Sequence, residues 1–462
     1  MYKLNYFNFK KNNNNYLLTN DIGEYAFIEN EEFEKLVNKC KLKEETQKEL
    51  LEKGFIYETN KELFTENMYL KLRNQKEYLL TATTLHIFVV SKNCNFNCVY
   101  CQAGNLNQKQ DYEMSIETAK RSADIALQAP NKYLSFEFQG GEPLTNFEVI
   151  KYIVEYSKEN ANGKQIDYNV VSNLTLLTDE MIDFFKENNV SICTSIDGNE
   201  ELQNRNRPYK DGNSYRKTVE QIEKLREKGI NVSAIETTTK YSLNKFKEVV
   251  DEYIKLKLNS IFIRPLTKLG KADSNWDRIG YSAEEFLEFY KNALKYIIQK
   301  NKEGTFLVEG HSNIFLKKIL LHQPVNYMEL RSPCGGAIGQ IAYYYDGNIY
   351  TCDEGRMLAE MGNDSFKLGN VYEDTYQNLM KCDCTKAMCV SSCIECLPYC
   401  SSCVYMPYCG TCPVINLAQD DNIFARKPKE FRCQVYGGIL EILFDYIEND
   451  KEVRQIFEKW IS

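Results

Sequence analysis

Between residues 85 and 265 the chain alternates six times between short apolar runs and amphipathic helical stretches. The runs are LHIFVVS, YLSFEFQ, IDYNVVS, VSICTSI, NVSAIETTT and SIFIRPL. The stretches between them are SIETAKRSADIALQA, NFEVIKYIVEYSKEN, TDEMIDFFKEN, YRKTVEQIEKLREKG and NKFKEVVDEYIKLK. Strands that read as apolar on both faces, each followed by a helix, predict a parallel sheet covered by helices. Six such units predict an α/β fold in the form of a curved, partly closed (β/α)6 barrel, with a flat doubly wound sheet as the alternative. The polar punctuation falls at one place. Cys94 to Cys101 follow the first run, QGGEP (139–143) the second, Ser172 and Asn173 the third, and SIDG (195–198) the fourth. Thr237 to Thr239 end the fifth run and RPL (264–266) the sixth. These residues collect at the carboxyl edge of the strands, where such folds bind ligands.

The rest of the chain divides around this region. At 462 residues it is too long for one core. Residues 1–80 read as short strands, with a turn at NNNN (12–15), followed by charged helices. They form a small winged-helix-like unit, either a packing appendage or a peptide-recognition module. The barrel is expected over 81–280, a helical bridge over 281–330, a cysteine-rich domain over 331–436 and a closing helix over 437–462. Hydrophobic residues at 43% and charged residues at 26% describe a soluble globular chain. A net charge of −8 argues against a nucleic-acid partner. MYKLNYFNFKKNNNN has no apolar signal-peptide core, and no apolar run reaches the length of a membrane span. The chain is read as cytoplasmic.

Seventeen cysteines, an odd number, then call for metal binding or catalysis, because disulfides are rare in a reducing compartment. The first three stand in CNFNCVYC, as Cys94, Cys98 and Cys101. Their spacing is also that of one helix face, so a buried cysteine stripe is the competing account. Asn93, Asn95 and Asn97 oppose it, since asparagine favours turns over helix interiors. A compact loop with three thiolates suits an iron–sulfur cluster better than zinc, which takes four ligands in structural sites. Three cysteines on a four-iron cluster leave one iron open.

These residues carry a resemblance. Cys94, Cys98, Tyr100 and Cys101 resemble the three-cysteine loop of the radical S-adenosylmethionine (radical SAM) enzymes, and QGGEP resembles that family's second motif. The resemblance implies a [4Fe-4S] cluster whose open iron chelates S-adenosylmethionine. One electron then yields a 5′-deoxyadenosyl radical that abstracts hydrogen. It also implies that Gly140 and Gly141 let the backbone approach the cofactor's ammonium. Glu142 would add a charge-compensating contact. Ser172, Asn173, Ser195 and Asp197 would offer polar groups to ribose and carboxylate, with Tyr100 near the adenine. Each of these taken alone also reads as a strand-end turn residue.

Twelve of the seventeen cysteines lie between Cys334 and Cys433. This region resembles the SPASM extension of radical SAM peptide maturases, whose seven cysteines hold two auxiliary [4Fe-4S] clusters. Carried over, Cys334, Cys352 and Cys412 hold the first, and Cys400, Cys403, Cys409 and Cys433 the second. The last close pair, Cys409 and Cys412, is one residue closer than the usual pattern. Cys382, Cys384, Cys389, Cys393 and Cys396 stay unassigned: they complete the first cluster, bind a separate zinc or are core thiols. Cys40 and Cys193 read as buried structural residues, and His86, His311 and His322 as structural. Asp353 occupies the position of the proposed substrate base of sulfatase-maturing enzymes, a role that needs a carboxylate near a cluster. A turn residue in YTCDEGR is the plain alternative.

SNLTLLTDEMIDFF, SIDG with RNRP following, RSPCGGAIGQ and YTCDEGRMLAEMG resemble the maturase of the His-Xaa-Ser repeat system. That implies a ribosomally synthesised precursor peptide as substrate, a paired second radical SAM maturase as partner, and an electron donor of the flavodoxin or ferredoxin type. A sulfatase-maturase-like or thioether-forming enzyme on the same scaffold is the alternative, and a non-enzymatic iron–sulfur electron-transfer protein the third reading.

Overall fold

The computed structural model describes residues 2–12, 15–58, 60–103, 112–424 and 428–462. Strands β1 (Lys3–Leu4), β2 (Asn8–Asn12), β3 (Asn15–Thr19), β4 (Tyr25–Glu29) and β5 (Ile56–Tyr57) open the chain, with helices α1 (Asn30–Val37) and α2 (Glu44–Glu52) between β4 and β5. β2, β3 and β4 form an antiparallel meander and β1 pairs with β5. Leu18, Ala26, Leu36, Leu50 and Phe55 close a separate small core here. Of the expected NNNN turn, Asn13 and Asn14 lie outside the described residues; the flanking Asn12 and Asn15 are paired. Helix α3 (Lys61–Gln75), which buries none of its residues, leads to the central sheet.

That sheet follows the alternation. β6 (Leu85–Ser91), β7 (Tyr133–Gly140), β8 (Gln165–Val171), β9 (Ser191–Ser195), β10 (Val232–Thr237) and β11 (Ser260–Arg264) lie side by side in sequence order and are all parallel. The covering helices are α4 (Ile116–Leu127), α5 (Phe147–Glu159), α6 (Asp179–Glu187), α7 (Glu200–Asn206), α8 (Ser214–Glu227) and α9 (Phe246–Lys255). Ser115, Thr178, Asn199 and Asn213 each accept a backbone N–H at the start of α4, α6, α7 and α8, which fixes where the loop stops and the helix begins. The sheet does not close. β12 (Val308–Glu309) adds at one edge, and β13 (Gln340–Tyr343), β14 (Asn348–Tyr350) and β15 (Lys367–Asn370) add at the other, giving ten strands in an open row. The barrel is therefore partial, and part of the cysteine-rich region is built into its sheet beside β6.

Three expectations change. Of the six barrel strands only β6 is buried along nearly its whole length; β7 buries Leu134, Phe136 and Phe138 under helices and leaves Ser135, Glu137 and Gln139 half-buried. An open barrel keeps its concave face accessible, so the strands alternate. The 281–330 bridge, α12 (Ala283–Lys302) and α13 (Gly310–Leu320), also supplies β12 to the sheet. The closing helix is two helices, α18 (Phe431–Asn449) and α19 (Lys451–Ile461), because the Asp450 carboxylate accepts the N–H groups of Glu452 and Val453 and starts a new helix. The remaining helices are α10 (Lys271–Ser274), α11 (Trp276–Ile279), α14 (Asp353–Glu360), α15 (Tyr376–Lys381), α16 (Asp383–Ser392) and α17 (Pro413–Asp420).

Candidate active site

The loop after β6 is held from several sides, and its asparagines do the holding. Asn95 donates to Thr175 Oγ1 at 2.7 Å and accepts from Asn173 Nδ2 at 2.9 Å. Asn97 accepts from Lys271 Nζ at 2.6 Å, and its N–H reaches the Pro208 carbonyl at 2.8 Å. No helix forms between Cys94 and Cys101, so the buried-stripe account fails. Cys94, Cys98 and Cys101 instead line one cavity of about 260 Å³ at the carboxyl edge of the strands. The Phe96 N–H points at Cys94 Sγ, 3.4 Å away, a contact that stabilises a thiolate. Burial pushes the Cys98 thiol up to about 12, while Arg207 and Lys271 pull it back. Such buried thiols need a metal's charge to ionise, and three of them facing one cavity fit a cluster with one uncovered iron.

The glycines meet the chain before any ligand. A Cβ on Gly140 would stand 2.0 Å from the Ser91 carbonyl oxygen, and one on Gly141 2.3 Å from that of Asn93. The Gly141 and Glu142 N–H groups donate to those same two carbonyls at 2.8 and 2.7 Å. Their immediate use is to let QGGEP lie against the root of the cysteine loop, and both also line the cavity. Glu142 is turned inward: its carboxylate accepts from Ser172 Oγ at 2.7 Å and from the Asn173 N–H at 2.8 Å. Burial pushes it up to about 7 against those hydrogen bonds. It braces the Ser172–Asn173 turn.

Ser172, Asn173 and Ser195 line the cavity, and Tyr100 does too. Asp197 does not. Its carboxylate is fully buried, accepting from Tyr100 Oη at 2.6 Å, Arg207 Nε at 3.1 Å and the Thr237 N–H at 3.2 Å. It orients Tyr100 and Arg207, which do line the cavity. Arg207 is thus a site residue that sequence reasoning missed, although RNRP holds it.

The cysteine-rich region also reaches the cavity. Asp353 and Glu354, at the start of α14, line the same cavity together with Arg264. Asp353 Oδ1 is held by the buried Arg356, at 2.8 Å from Nε and 2.7 Å from Nη2. Glu354 was missed by sequence reasoning; burial and the neighbouring Glu329 and Asp353 push its carboxyl up.

Cys334, Cys352 and Cys412 are buried in one apolar cluster, with Cys384 packed against it. The Gly336 N–H lies 3.5 Å from Cys334 Sγ, and the Gly355 N–H 3.3 Å from Cys352 Sγ, which also sits at the N-terminus of α14. Helix termini and N–H donors favour thiolates. Cys400, Cys403 and Cys409 gather around Ile394, Leu397 and Met406. Cys433 lies in the first turn of α18, and its N–H donates to Glu430 at 3.3 Å. Cys40, expected inside, is exposed, and Cys193 on β9 is half-buried. His86 and His311 are buried and His322 half-exposed.

The Radical SAM superfamily matches residues 88–252. The chain is 27% identical to the radical SAM cyclopropyl synthase TigE of Paramaledivibacter caminithermalis, over 73% of this chain and 69% of that protein. It is 27% identical to the serine-type anaerobic sulfatase-maturating enzyme of Bacteroides thetaiotaomicron, over 66% of this chain and 76% of that one. The fold matches native anSMEcpe with bound AdoMet at a TM-score of 0.68 and 20% identity, over 81% of this chain and 99% of that chain. It also matches Streptococcus suis SuiB bound to precursor peptide SuiA, at 0.57 and 14%, over 94% and 100%. A radical SAM domain over residues 88–252, together with relatives that are a cyclopropyl synthase and a sulfatase-maturating enzyme, supports a radical SAM enzyme of the SPASM type. S-adenosylmethionine and a [4Fe-4S] cluster are its cofactors, and the cysteine-rich region fits auxiliary [4Fe-4S] clusters. Among the described residues no helix is long and apolar enough to cross a membrane.

Proposed function

We propose that this enzyme is a peptide maturase that cleaves S-adenosylmethionine at a cluster on Cys94, Cys98 and Cys101 and modifies a ribosomally made peptide, one with His-Xaa-Ser repeats. The observation that carries the reading is the shared cavity: the three thiols and the Asp353 and Glu354 carboxylates from the cysteine-rich region line it together. When bound at these thiols, the cluster and S-adenosylmethionine would supply one-electron, hydrogen-abstracting radical chemistry. The chain's own residues do the rest. Gly140, Gly141, Ser172, Asn173 and Ser195 shape the cofactor side, and Tyr100 and Arg207 are fixed there by Asp197. On the substrate side, the Asp353 carboxylate, held by Arg356, takes the proton that leaves the activated substrate. Cys334, Cys352 and Cys412, the second of them next to Asp353 in the chain, would hold the first auxiliary cluster, which would supply an acceptor for the departing electron. Cys400, Cys403, Cys409 and Cys433 hold the second.

Supporting a peptide substrate are the relatives named for cyclopropyl synthesis and sulfatase maturation, and the SuiB structure bound to its precursor. In this reading the amino-terminal unit receives a leader segment as an extra strand on β2 or β4, the edges of its meander. A second radical SAM maturase and a flavodoxin- or ferredoxin-type donor complete the system. The test is co-expression with a His-Xaa-Ser repeat peptide and the partner, followed by mass spectrometry. A modified repeat is expected. An unmodified peptide beside protein that releases 5′-deoxyadenosine would remove the proposed substrate and leave the radical chemistry standing.

A further inference from the structure

The five cysteines outside the two SPASM sets are not equivalent. Cys382 and Cys384 flank the start of α16, whereas Cys389, Cys393 and Cys396 lie at its other end. Cys393 ends α16 and Cys396 closes the following 3-10 turn, with the Cys396 N–H on the Cys393 carbonyl at 3.0 Å. This turn brings Cys393 Sγ and Cys396 Sγ to 3.8 Å. Cys393 Sγ also lies 3.5 Å from Glu395 Oε2. Ligands at about 2.3 Å (sulfur) and about 2.0 Å (oxygen) from a tetrahedral zinc are separated by about 3.8 Å (sulfur to sulfur) and about 3.5 Å (sulfur to oxygen). Two edges of that tetrahedron are therefore already present. Cys389 stands one helical turn before Cys393, on the same side of α16.

We propose that Cys389, Cys393, Cys396 and Glu395 bind a zinc ion, separate from the iron–sulfur chemistry. Among the described residues no three such side chains converge on one point as they stand, so binding requires Cys393, Cys396 and Glu395 to close together and Cys389 to swing toward them. The surroundings show what the ion would hold together. Glu395 also pairs with Lys76, just after α3, and accepts from Ser332 Oγ. Ser332 Oγ in turn takes the Ile394 N–H at 3.1 Å, and the Cys334 N–H donates to Ser392 Oγ at 2.9 Å. The ion staples the end of α16 to the strap that carries Cys334, at the place where the link from the amino-terminal unit arrives.

The test is elemental analysis of the anaerobically purified, cluster-loaded chain expressed with zinc present, beside Cys389→Ser, Cys396→Ser and a Cys40→Ser control. Stoichiometric zinc is expected in the parent and the control, and its loss in both site variants with iron content unchanged. Cobalt(II) added to zinc-stripped parent should give thiolate charge-transfer and tetrahedral ligand-field bands. That measurement needs no variant to fold. Absence of zinc and cobalt binding in the parent would overturn the proposal. So would a fall in iron in the two site variants, which would assign these cysteines to an iron–sulfur cluster.

Discussion

His86 shows how far one buried side chain is tuned by its place in the sheet. It sits on β6 with its Nδ1 3.0 Å from Tyr343 Oη on β13, and burial pushes its imidazole down to about 3. A histidine depressed in the folded state contributes stability that is present above its unfolded value near 6.5 and lost as pH falls toward 3. About 2 kcal/mol should be gone by pH 5. His86→Gln should therefore flatten the pH dependence of the unfolding midpoint between pH 7 and 5; an unchanged slope would show that other groups carry it. Arg207 makes a second case. Removing it strands the fully buried Asp197 carboxylate, which costs about 3–5 kcal/mol for a broken buried pair. Arg207→Ala should lower the melting temperature and weaken S-adenosylmethionine binding, whereas Asp197→Asn with Arg207 intact should lose less of both.

At the level of elements, the junction between β6 and β7 decides whether the site forms. Gly141→Ala places a methyl group 2.3 Å from the Asn93 carbonyl, so either QGGEP or the cysteine loop must shift. The expected outcome is a folded protein with sharply reduced cluster loading, read from the iron-to-protein ratio; full loading would mean the loop accommodates the methyl. Much of this level was legible in the sequence. The six strands were found within a residue or two because strand and helix periods differ and each unit repeats the switch. The inward Ser135, Glu137 and Gln139 break the apolar reading of β7, since a partial barrel has an open concave face. β12 to β15 were not legible: they are two to four residues long and owe their conformation to partners such as β6, some 255 residues away. The site was legible where a motif's chemistry is local, as in the cysteine loop. It was not where a side chain's partner is tertiary, as with Asp197, taken by Arg207 and Tyr100 in place of a ligand.

For the whole molecule, the contact that stands out joins its two ends. Asn8 donates to the Ser401 and Cys403 carbonyls at 3.2 and 3.1 Å, Thr19 Oγ1 to the Val404 carbonyl at 2.6 Å, and Tyr408 Oη to that of Gly23 at 2.8 Å. The amino-terminal meander thus grips the backbone of the loop carrying Cys400, Cys403 and Cys409. Asn8→Ala combined with Thr19→Val should loosen it, seen as faster limited proteolysis before residue 80 with the barrel still protected. Equal rates would mean that the small core of this unit is held elsewhere. The same grip implies that the loop and the amino-terminal unit order together, which no reading of either segment alone reveals. The central claim concerns three thiols. With Cys94, Cys98 and Cys101 replaced one at a time by alanine, anaerobic incubation with S-adenosylmethionine and dithionite should yield no 5′-deoxyadenosine while iron on the remaining cysteines persists. Release of 5′-deoxyadenosine at the parent rate by any of the three variants would contradict the account.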